Sequence, residues 1–282
     1  MDLFIILDFA PSFPYTTAFT GNNMKILRFV LIALLLSIFT RPLSAATQDL
    51  KMIFWYPGEA GTTQDAQGVL DSFFNYLNGR ISPYKISGKY FNSVPDGISY
   101  LKKDRPGLAI VSFANFVING QALGKYEQIL KTLPLPGGKT TEQYVVVGLD
   151  ARPSEWNVTL YSKQPLTSKF VNNYIIGKET NIQPITVPGI IPTLKGVADG
   201  SKKGGVILQP VEYQALQAIN QPWARQLSVW HTSVPVPSAP FLALGTLSED
   251  ARQKITSALI GMSNDPEGKK ILETLRLKGF AN

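Results

Sequence analysis

The sequence predicts an α/β protein of two lobes, each with a mostly parallel β-sheet flanked by helices. Short apolar runs alternate with stretches of helical periodicity, a pattern typical of βαβ units. This alternation occurs twice, and turn-rich segments near residues 133 and 235 separate the two occurrences. We therefore expect each occurrence to build one lobe.

The stretch from Lys51 to Asn78 shows the repeating unit most clearly. Residues 52–56 read MIFWY, an apolar run typical of a strand that is covered on both faces. Pro57-Gly58 ends the strand, and Thr62 with Asp65 three residues later predicts the start of a helix. The N-terminus of that helix then lies at the carboxyl edge of the strand, where open α/β sheets bind ligands, often anions. An ordinary βα connection is the alternative interpretation.

Two more strand patterns follow at residues 84–92 and 108–113, separated by a helical pattern that begins at Ser93. Strands that alternate with helices in this way indicate right-handed crossovers and parallel neighbours. The third strand ends at Ser112, at the sheet edge where Tyr56 also lies. Two strand ends that face one crevice predict a ligand site there.

A second set of strands and helices spans residues 144–232. Within it, helices are predicted to begin near Ser168 and Gly189, and a short apolar strand ends just before Gln209. Helix N-termini that follow strands offer backbone N–H groups to anions. The second lobe is therefore expected to contribute its own ligand contacts.

Two segments connect the predicted lobes. The sequence LPLPGGKTT from Leu133 leaves the first lobe, and SVPVPSAP at residues 233–240 leads back to it. Residues 241–244 are expected to return to the first sheet, and the chain is expected to end in helices. The predicted domains are residues 47–133 plus 236–282 for the first lobe and 134–235 for the second.

Residues 1–46 are interpreted as a leader. Residues 24–46 have a basic start, an apolar run too short to span a membrane comfortably, and small residues before Thr47. This order predicts a cleaved secretory signal and a periplasmic mature protein. Residues 1–23 precede the signal and contain no basic residue, so either Met24 is the true start or the leader is unusually long.

Composition excludes several classes of protein. The chain has no cysteine, which argues against a disulfide scaffold, a lipoprotein and a thiol enzyme. Its net charge of +7 is scattered, which disfavours nucleic-acid binding and indicates only a general preference for anions. The single histidine, His231, lies on a predicted strand beside Trp230 and is interpreted as structural. We predict no catalytic residue, no metal site, no cofactor and a monomer.

Three segments of the sequence resemble segments of a known protein family. They are GVADG at residues 196–200, GGVILQPVEY at 204–213 and NDPEGKKILETLRLKGF at 264–280. Together with the order of elements, they resemble the type II periplasmic solute-binding proteins of ABC transporters, and within that class the phosphate, phosphite and phosphonate-binding family. The resemblance implies a protein that holds a small anionic solute between two lobes and passes it to a permease.

The resemblance and the strand ends together predict which residues contact the solute. The expected ligand-binding residues are Tyr56, Thr62, Thr63 and Ser112 from the first lobe, and Ser168, Gly189 and Gln209 from the second. Two positions differ from the family pattern: PGIIPT stands in place of a hydroxyl-rich turn, and Gln209 in place of an aspartate. The alternative function is an exported ligand-sensing or partner-binding protein without a transport role, and an exported hydrolase is a third possibility.

Overall fold

The computed structural model describes residues 47–59 and 63–282. The predicted signal at residues 24–46 and the predicted cap at Thr62 lie outside the described residues. Within the described part of the chain, every helix is too short or too polar to cross a membrane.

Thirteen strands occur in the described residues. They are β1 Gln48–Trp55, β2 Tyr84–Phe91, β3 Leu108–Val111, β4 Tyr126–Pro134, β5 Thr141–Glu142, β6 Val145–Leu149, β7 Leu160–Ser162, β8 Pro184–Thr186, β9 Gly205–Leu208, β10 Leu227–Thr232, β11 Val236–Pro237, β12 Pro240–Leu244 and β13 Leu277–Ala281.

The helices of the described residues are α1 Thr63–Asn78, α2 Val94–Asp104, α3 Phe113–Asn119, α4 Ser168–Phe170, α5 Ile190–Ala198, α6 Pro210–Ala218, α7 Glu249–Gly261 and α8 Pro266–Thr274. A π-helical stretch, Val171–Ile176, continues α4. Short 3₁₀ segments lie at Gly120–Leu123, Pro222–Gln226 and Met262–Asn264.

The strands form two large sheets, and each is the centre of one lobe. The first lobe has a six-stranded sheet of order β13-β4-β12-β3-β1-β2, and the second has a five-stranded sheet of order β10-β6-β9-β7-β8. Strand β12 pairs with β3 and β4, so the predicted return of the chain to the first sheet is confirmed. The predicted two-lobed α/β fold is confirmed as well.

Strand β1 is buried on both faces, as its apolar sequence predicts. Met52 and Phe54 belong to the cluster that packs against α1, α7 and α8. The alternate residues Ile53 and Trp55 belong to a second cluster, which includes Tyr100 and Leu101 of α2. Side chains of a strand point to opposite faces in turn, so helices cover both sides of this sheet.

The chain crosses between the sheets twice, from β4 to β6 and from β10 to β12. On the way, the two crossing segments pair with each other as β5 and β11, with Val236 opposite Glu142. Both lobe bounds proposed from the sequence fall close to these segments. The bounds themselves, at residues 133/134 and 235/236, stay a prediction.

The prediction of mostly parallel sheets was wrong in detail. In the first sheet only the pairs β1–β2 and β1–β3 are parallel, and in the second only β7–β8 and β7–β9. The antiparallel pairs involve the strands next to the crossings, which carry the chain out of one sheet and back into it. A helical crossover brings the chain back so that the next strand runs in the same direction as the last one. The connections next to the crossings instead bring the chain into the sheet in the opposite direction.

Two elements of the first sheet were missed or misassigned. Strand β4 was not predicted, because its first half is exposed and polar. The chain was expected to end in a helix, but residues 277–281 form β13 and pair with β4. The apolar residues Leu277 and Phe280 suit a short strand as well as a helix turn, so their spacing did not distinguish the two.

Two helical glycines give a matched stability test. A Cβ at buried Gly97 in α2 would overlap the indole ring of Trp55, whereas a Cβ at exposed Gly68 in α1 meets no atom within 4 Å. We expect Gly97→Ala to lower the free energy of unfolding by about 1–3 kcal/mol through overpacking. Gly68→Ala should raise it by about 0.5–1 kcal/mol, since alanine is the better helix former.

Urea denaturation followed by circular dichroism measures both changes. A Gly97→Ala protein as stable as the wild type would contradict the tight packing of α2 on β1.

Candidate functional site

Three of the predicted ligand-binding residues meet at one place between the lobes. Tyr56 and Ser112 from the first lobe and Gln209 from the second line a cavity of about 30 Å³, here named the inner cavity. Its other lining residues are Phe113, Glu142, Tyr144, Gln164, Pro210, Val236, Pro237 and Ala239.

Ser112 supplies a hydroxyl that has no partner. It lies between β3 and α3, where its backbone N–H donates to the Trp55 carbonyl at 3.2 Å. Its side chain is 6% exposed and does not cap α3. Among the described residues, Ser112 Oγ is one of the few buried side-chain atoms without a hydrogen-bond partner. A buried hydroxyl without a partner is costly, and a polar ligand would remove that cost.

Two tyrosines in the inner cavity keep their protons. Burial, followed by the charges of Glu142 and Glu59, raises the pKa of Tyr56 well above its ordinary value. The same causes raise the pKa of Tyr144, whose hydroxyl donates to Gln164 Oε1 at 3.0 Å. The inner cavity therefore presents neutral hydroxyl groups at physiological pH.

The charged groups at this site are mostly acidic. Burial, and then the charge of Glu59, raises the pKa of Glu142 to about 7. Burial also raises the pKa of Glu212 to about 7, although its hydrogen bond from the Gln209 N–H and the charge of Lys163 oppose the shift. Among the described residues, no lysine or arginine lines the inner cavity.

A wider groove lies beside the inner cavity. It has a volume of about 550 Å³, within the range of ligand pockets. Its lining residues are Pro57, Gly58, Glu59, Asn92, Val94, Pro95, Lys163, Pro165, Thr186, Val187 and Pro188. The groove is therefore formed by both lobes, and Lys163 is the cationic residue among those that line it.

One hydrogen bond between the lobes joins a residue of the inner cavity to a residue of the groove. Gln209, which lines the inner cavity, donates its Nε2–H to Oε1 of Glu59, which lines the groove, at 2.6 Å. Gly58 has φ +85°, and a Cβ there would overlap the backbone of Lys163 and Gln164. The lobes are thus in direct contact at Gly58 and Glu59, and glycine permits this approach.

Aromatic rings make a second contact between the lobes. Phe113, at the start of α3, lies edge-on to Tyr174 with ring centroids 5.3 Å apart, and its ring centroid is 6.2 Å from that of Phe170. Phe113 and Ala114 pack into the apolar cluster of the second lobe. The structure is therefore a closed arrangement of the two lobes.

The remaining predicted site residues lie elsewhere. Thr62 is outside the described residues, and Thr63 is the first residue of α1. Ser168 begins α4, but Thr167 is its N-cap, and Ser168 lines neither the inner cavity nor the groove. Gly189 is the N-cap of α5 and follows Pro188, which lines the groove.

Several residues that line the inner cavity and the groove were not predicted from the sequence. Glu142 lies in a two-residue strand within a turn-rich segment, and Gln164 and Lys163 follow the short strand β7. The positions of these residues in the chain could have indicated them, because residues at chain crossings and at strand ends lie near the site in this kind of fold. His231, by contrast, is a structural residue as predicted, with Nε2 2.8 Å from the Ile175 carbonyl oxygen.

A family model matches part of the chain, and solved structures share its fold. Residues 178–282 match the family described as ABC transporter, phosphonate, periplasmic substrate-binding protein. No curated protein is similar enough in sequence to match the chain.

Solved structures with the same fold include PhnD1 from Prochlorococcus marinus in complex with methylphosphonate, at 13% identity and TM-score 0.61 over 84% of this chain and 93% of that one. A Xanthomonas citri protein bound to ATP has 15% identity and TM-score 0.64 over 83% and 91%. A binding protein component of an ABC phosphonate transporter from Pseudomonas aeruginosa has 14% identity and TM-score 0.57 over 83% and 81%. The predicted resemblance to periplasmic phosphonate-type binding proteins is confirmed.

The raised pKa of Glu142 predicts a pH-dependent cost to stability. The folded protein favours the neutral carboxyl, so its free energy of unfolding should fall as pH rises from the ordinary value of 4.5 through about 7. We expect Glu142→Gln to be more stable than the wild type at pH 8 by about 2 kcal/mol, and equally stable near pH 4.5.

Thermal unfolding at both pH values measures this difference. Glu155→Gln is the control, because Glu155 is exposed and lines neither the inner cavity nor the groove. Equal destabilisation of the Glu142→Gln protein at both pH values would contradict the assignment.

Proposed function

We propose that the chain is the solute-binding component of an ABC transporter, and that it binds a small oxyanion such as phosphate, phosphite or a phosphonate between its two lobes. The observation that carries this proposal is the unpartnered hydroxyl of Ser112 in a cavity lined by both lobes. The family match over residues 178–282 supports it. The two-sheet fold, shared with a methylphosphonate complex, supports it as well.

Binding requires the lobes to separate first. The inner cavity of about 30 Å³ has room for roughly one water molecule, which is less than a tetrahedral oxyanion needs. Breaking the Gln209–Glu59 hydrogen bond would join the inner cavity to the groove. The anion would then enter past Lys163, the cationic group of the groove, and the lobes would close around it by a hinge motion.

The closed site would hold the oxyanion with hydrogen bonds from neutral donors. Ser112 and Tyr56 supply hydroxyl groups from the first lobe. Gln209 supplies its amide from the second lobe once Glu59 has released it. These donors are preorganised on strand ends and at a helix start, so little of the binding free energy is needed to order them.

We also propose that the signal at residues 24–46 is cleaved and that the mature monomer works in the periplasm. There it delivers its solute to a permease. It is not an enzyme and needs no cofactor. The lobes are residues 47–133 plus 236–282, and 134–235. The description of the matched family as periplasmic and as part of an ABC transporter supports this location and this partner.

Removal of the Ser112 hydroxyl tests the site. Ser112→Ala should leave the ligand-free protein as stable as the wild type or slightly more stable, since the hydroxyl has no partner to lose. Its affinity for methylphosphonate should fall by about 10- to 100-fold, because a hydrogen bond to a charged group contributes about 1.5–3 kcal/mol.

A thermal-shift titration measures both effects. At 100 times the dissociation constant, the ligand should stabilise the wild type by about 2.7 kcal/mol. Thr256→Val is the matched control, because Thr256 Oγ1 is also buried without a partner but lies in α7, outside the inner cavity and the groove. An unchanged affinity in the Ser112→Ala protein would remove Ser112 from the site, and the absence of any oxyanion response in the wild type would overturn the proposed function.

The position of the mature N-terminus is a separate test. We expect the protein secreted to the periplasm to begin near Thr47, because small residues precede it after the apolar run. Intact mass spectrometry of the periplasmic fraction measures this directly. A full-length chain retained in the membrane fraction would contradict export by a cleaved signal.

A further inference from the structure

One end of the first sheet has an exposed face that is rich in lysine. Helix α2 packs against Ile53 and Trp55 of β1, and it ends at Asp104. Lys51 lies on the same side of β1 as Ile53, because side chains two positions apart in a strand share a face. Lys51 is exposed, so the sheet extends past the end of α2 here.

Strand β2 adds two lysines to the same face. It runs parallel to β1, with Lys85 opposite Asp49 and Lys89 opposite Ile53. Residues opposite each other in neighbouring strands point to the same side of the sheet. Lys85 and Lys89 are both exposed. Both therefore lie on the face that carries Lys51.

The end of α2 brings further basic residues to this place. Asp104 accepts a hydrogen bond from Lys51 Nζ at 3.0 Å. That hydrogen bond lowers the pKa of Asp104, and the charges of Lys103 and Lys89 act in the same direction. Three lysines from β1, β2 and α2 thus lie around one carboxylate.

This part of the surface is here named the basic face. It consists of Asp49, Lys51, Lys85, Lys89, Lys102, Lys103, Asp104 and Arg105. Its six basic residues are all exposed, and with two acids they give a net charge of +4, which is more than half of the +7 of the whole chain. The charge looks scattered in the sequence because three separate elements supply it, and the fold gathers it on one face.

Protection of a sheet edge accounts for only part of the basic face. Strand β2 is an edge strand of the first sheet, and lysines on an edge prevent unwanted strand pairing. Only Lys85 and Lys89 belong to β2. The other four basic residues lie on β1, on α2 or just after α2, where they protect no edge.

The position of the basic face relates it to the membrane that an exported chain crosses. It lies toward the amino ends of β1 and β2, whereas Tyr56 and Ser112 lie beyond the carboxyl ends of β1 and β3. Strand β1 begins at Gln48, and the apolar run of the predicted signal, residues 29–39, ends nine positions earlier. The chain therefore enters the first lobe next to the basic face.

We propose that the basic face binds the anionic headgroups of a lipid membrane, so that the protein lies on the membrane with its cleft directed away from the lipid. Lysines and arginines near an anionic bilayer are attracted to it within about one Debye length. None of the exposed large hydrophobic side chains of the described residues belongs to the basic face. Binding is therefore electrostatic and reversible. This inference goes beyond the proposed function and does not depend on which solute the cleft binds.

Vesicle co-sedimentation tests the inference on the wild-type protein purified after export. The protein should bind vesicles of equal parts phosphatidylglycerol and phosphatidylcholine, and it should stay in solution with pure phosphatidylcholine vesicles. Raising the salt from about 50 mM to about 300 mM should weaken binding by about tenfold or more, because salt screens exposed charges.

Two triple variants with the same change in net charge locate the binding surface. Lys85→Gln, Lys89→Gln and Lys103→Gln together should lower the partition into anionic vesicles by about tenfold or more. The control combines Lys178→Gln, Lys269→Gln and Lys270→Gln, which change exposed lysines outside the basic face. The control protein should keep its binding within about twofold of the wild type, apart from the small effect of total charge.

A footprint on the wild type gives the same information without any substitution. Lysines are acetylated with a water-soluble reagent, with and without anionic vesicles, and the products are read by mass spectrometry. The vesicles should slow acetylation of Lys85 and Lys89 several-fold and leave Lys269 and Lys270 unchanged, since the last two lie on α8, which packs on the other face of the sheet.

Four results would overturn the inference. They are no binding to anionic vesicles at about 50 mM salt, equal binding to neutral and anionic vesicles, equal losses in the two triple variants, and a footprint that does not distinguish β2 from α8. None of these results bears on oxyanion binding in the cleft, which the Ser112→Ala titration tests separately.

Discussion

The pairing of the two chain crossings is the constraint on which the site depends. Strands β5 and β11 pair antiparallel, and beside them Ser238 donates its backbone N–H to the Thr140 carbonyl at 2.9 Å and its hydroxyl to the Thr132 carbonyl at 2.6 Å. Thr132 donates its own hydroxyl to the Ala239 carbonyl at 3.0 Å. These buried groups satisfy one another, and removing one partner would leave another unpaired at a cost of about 1–3 kcal/mol.

The same crossings form one wall of the inner cavity. Glu142 belongs to β5, and Val236, Pro237 and Ala239 belong to β11 or follow it. The hydrogen bonds of Ser238 and Thr132 link this wall to β4 of the first sheet. Glu142 is therefore positioned by the pairing of β5 with β11.

The fold and three of the eleven residues that line the inner cavity could be predicted from the sequence, for identifiable reasons. Strand β1, the cap of α2 at Ser93 and the end of β3 at Ser112 follow from local periodicity and local hydrogen bonding, which the sequence records directly. Glu142 does not, because its place in the cavity arises from the pairing of two crossing segments that are distant in sequence. Gln164 does not either, because it follows β7 of the second lobe and lines the cavity only where the two lobes meet. Strand β4 was missed because its first half is exposed and polar, and because its pairing with β12 and β13 depends on residues more than 100 positions away.

The charge of the whole chain was a weak guide to the charge at the site. A net charge of +7 suggests attraction of anions, yet the inner cavity contains Glu142 and has Glu59 and Glu212 around it. Attraction at a distance depends on the summed charge, whereas selection inside a buried cavity depends on the few groups in contact with the ligand. In this protein the lysines outside the cavity contribute to the summed charge, while Glu142, Glu59 and Glu212 determine the charge at the inner cavity.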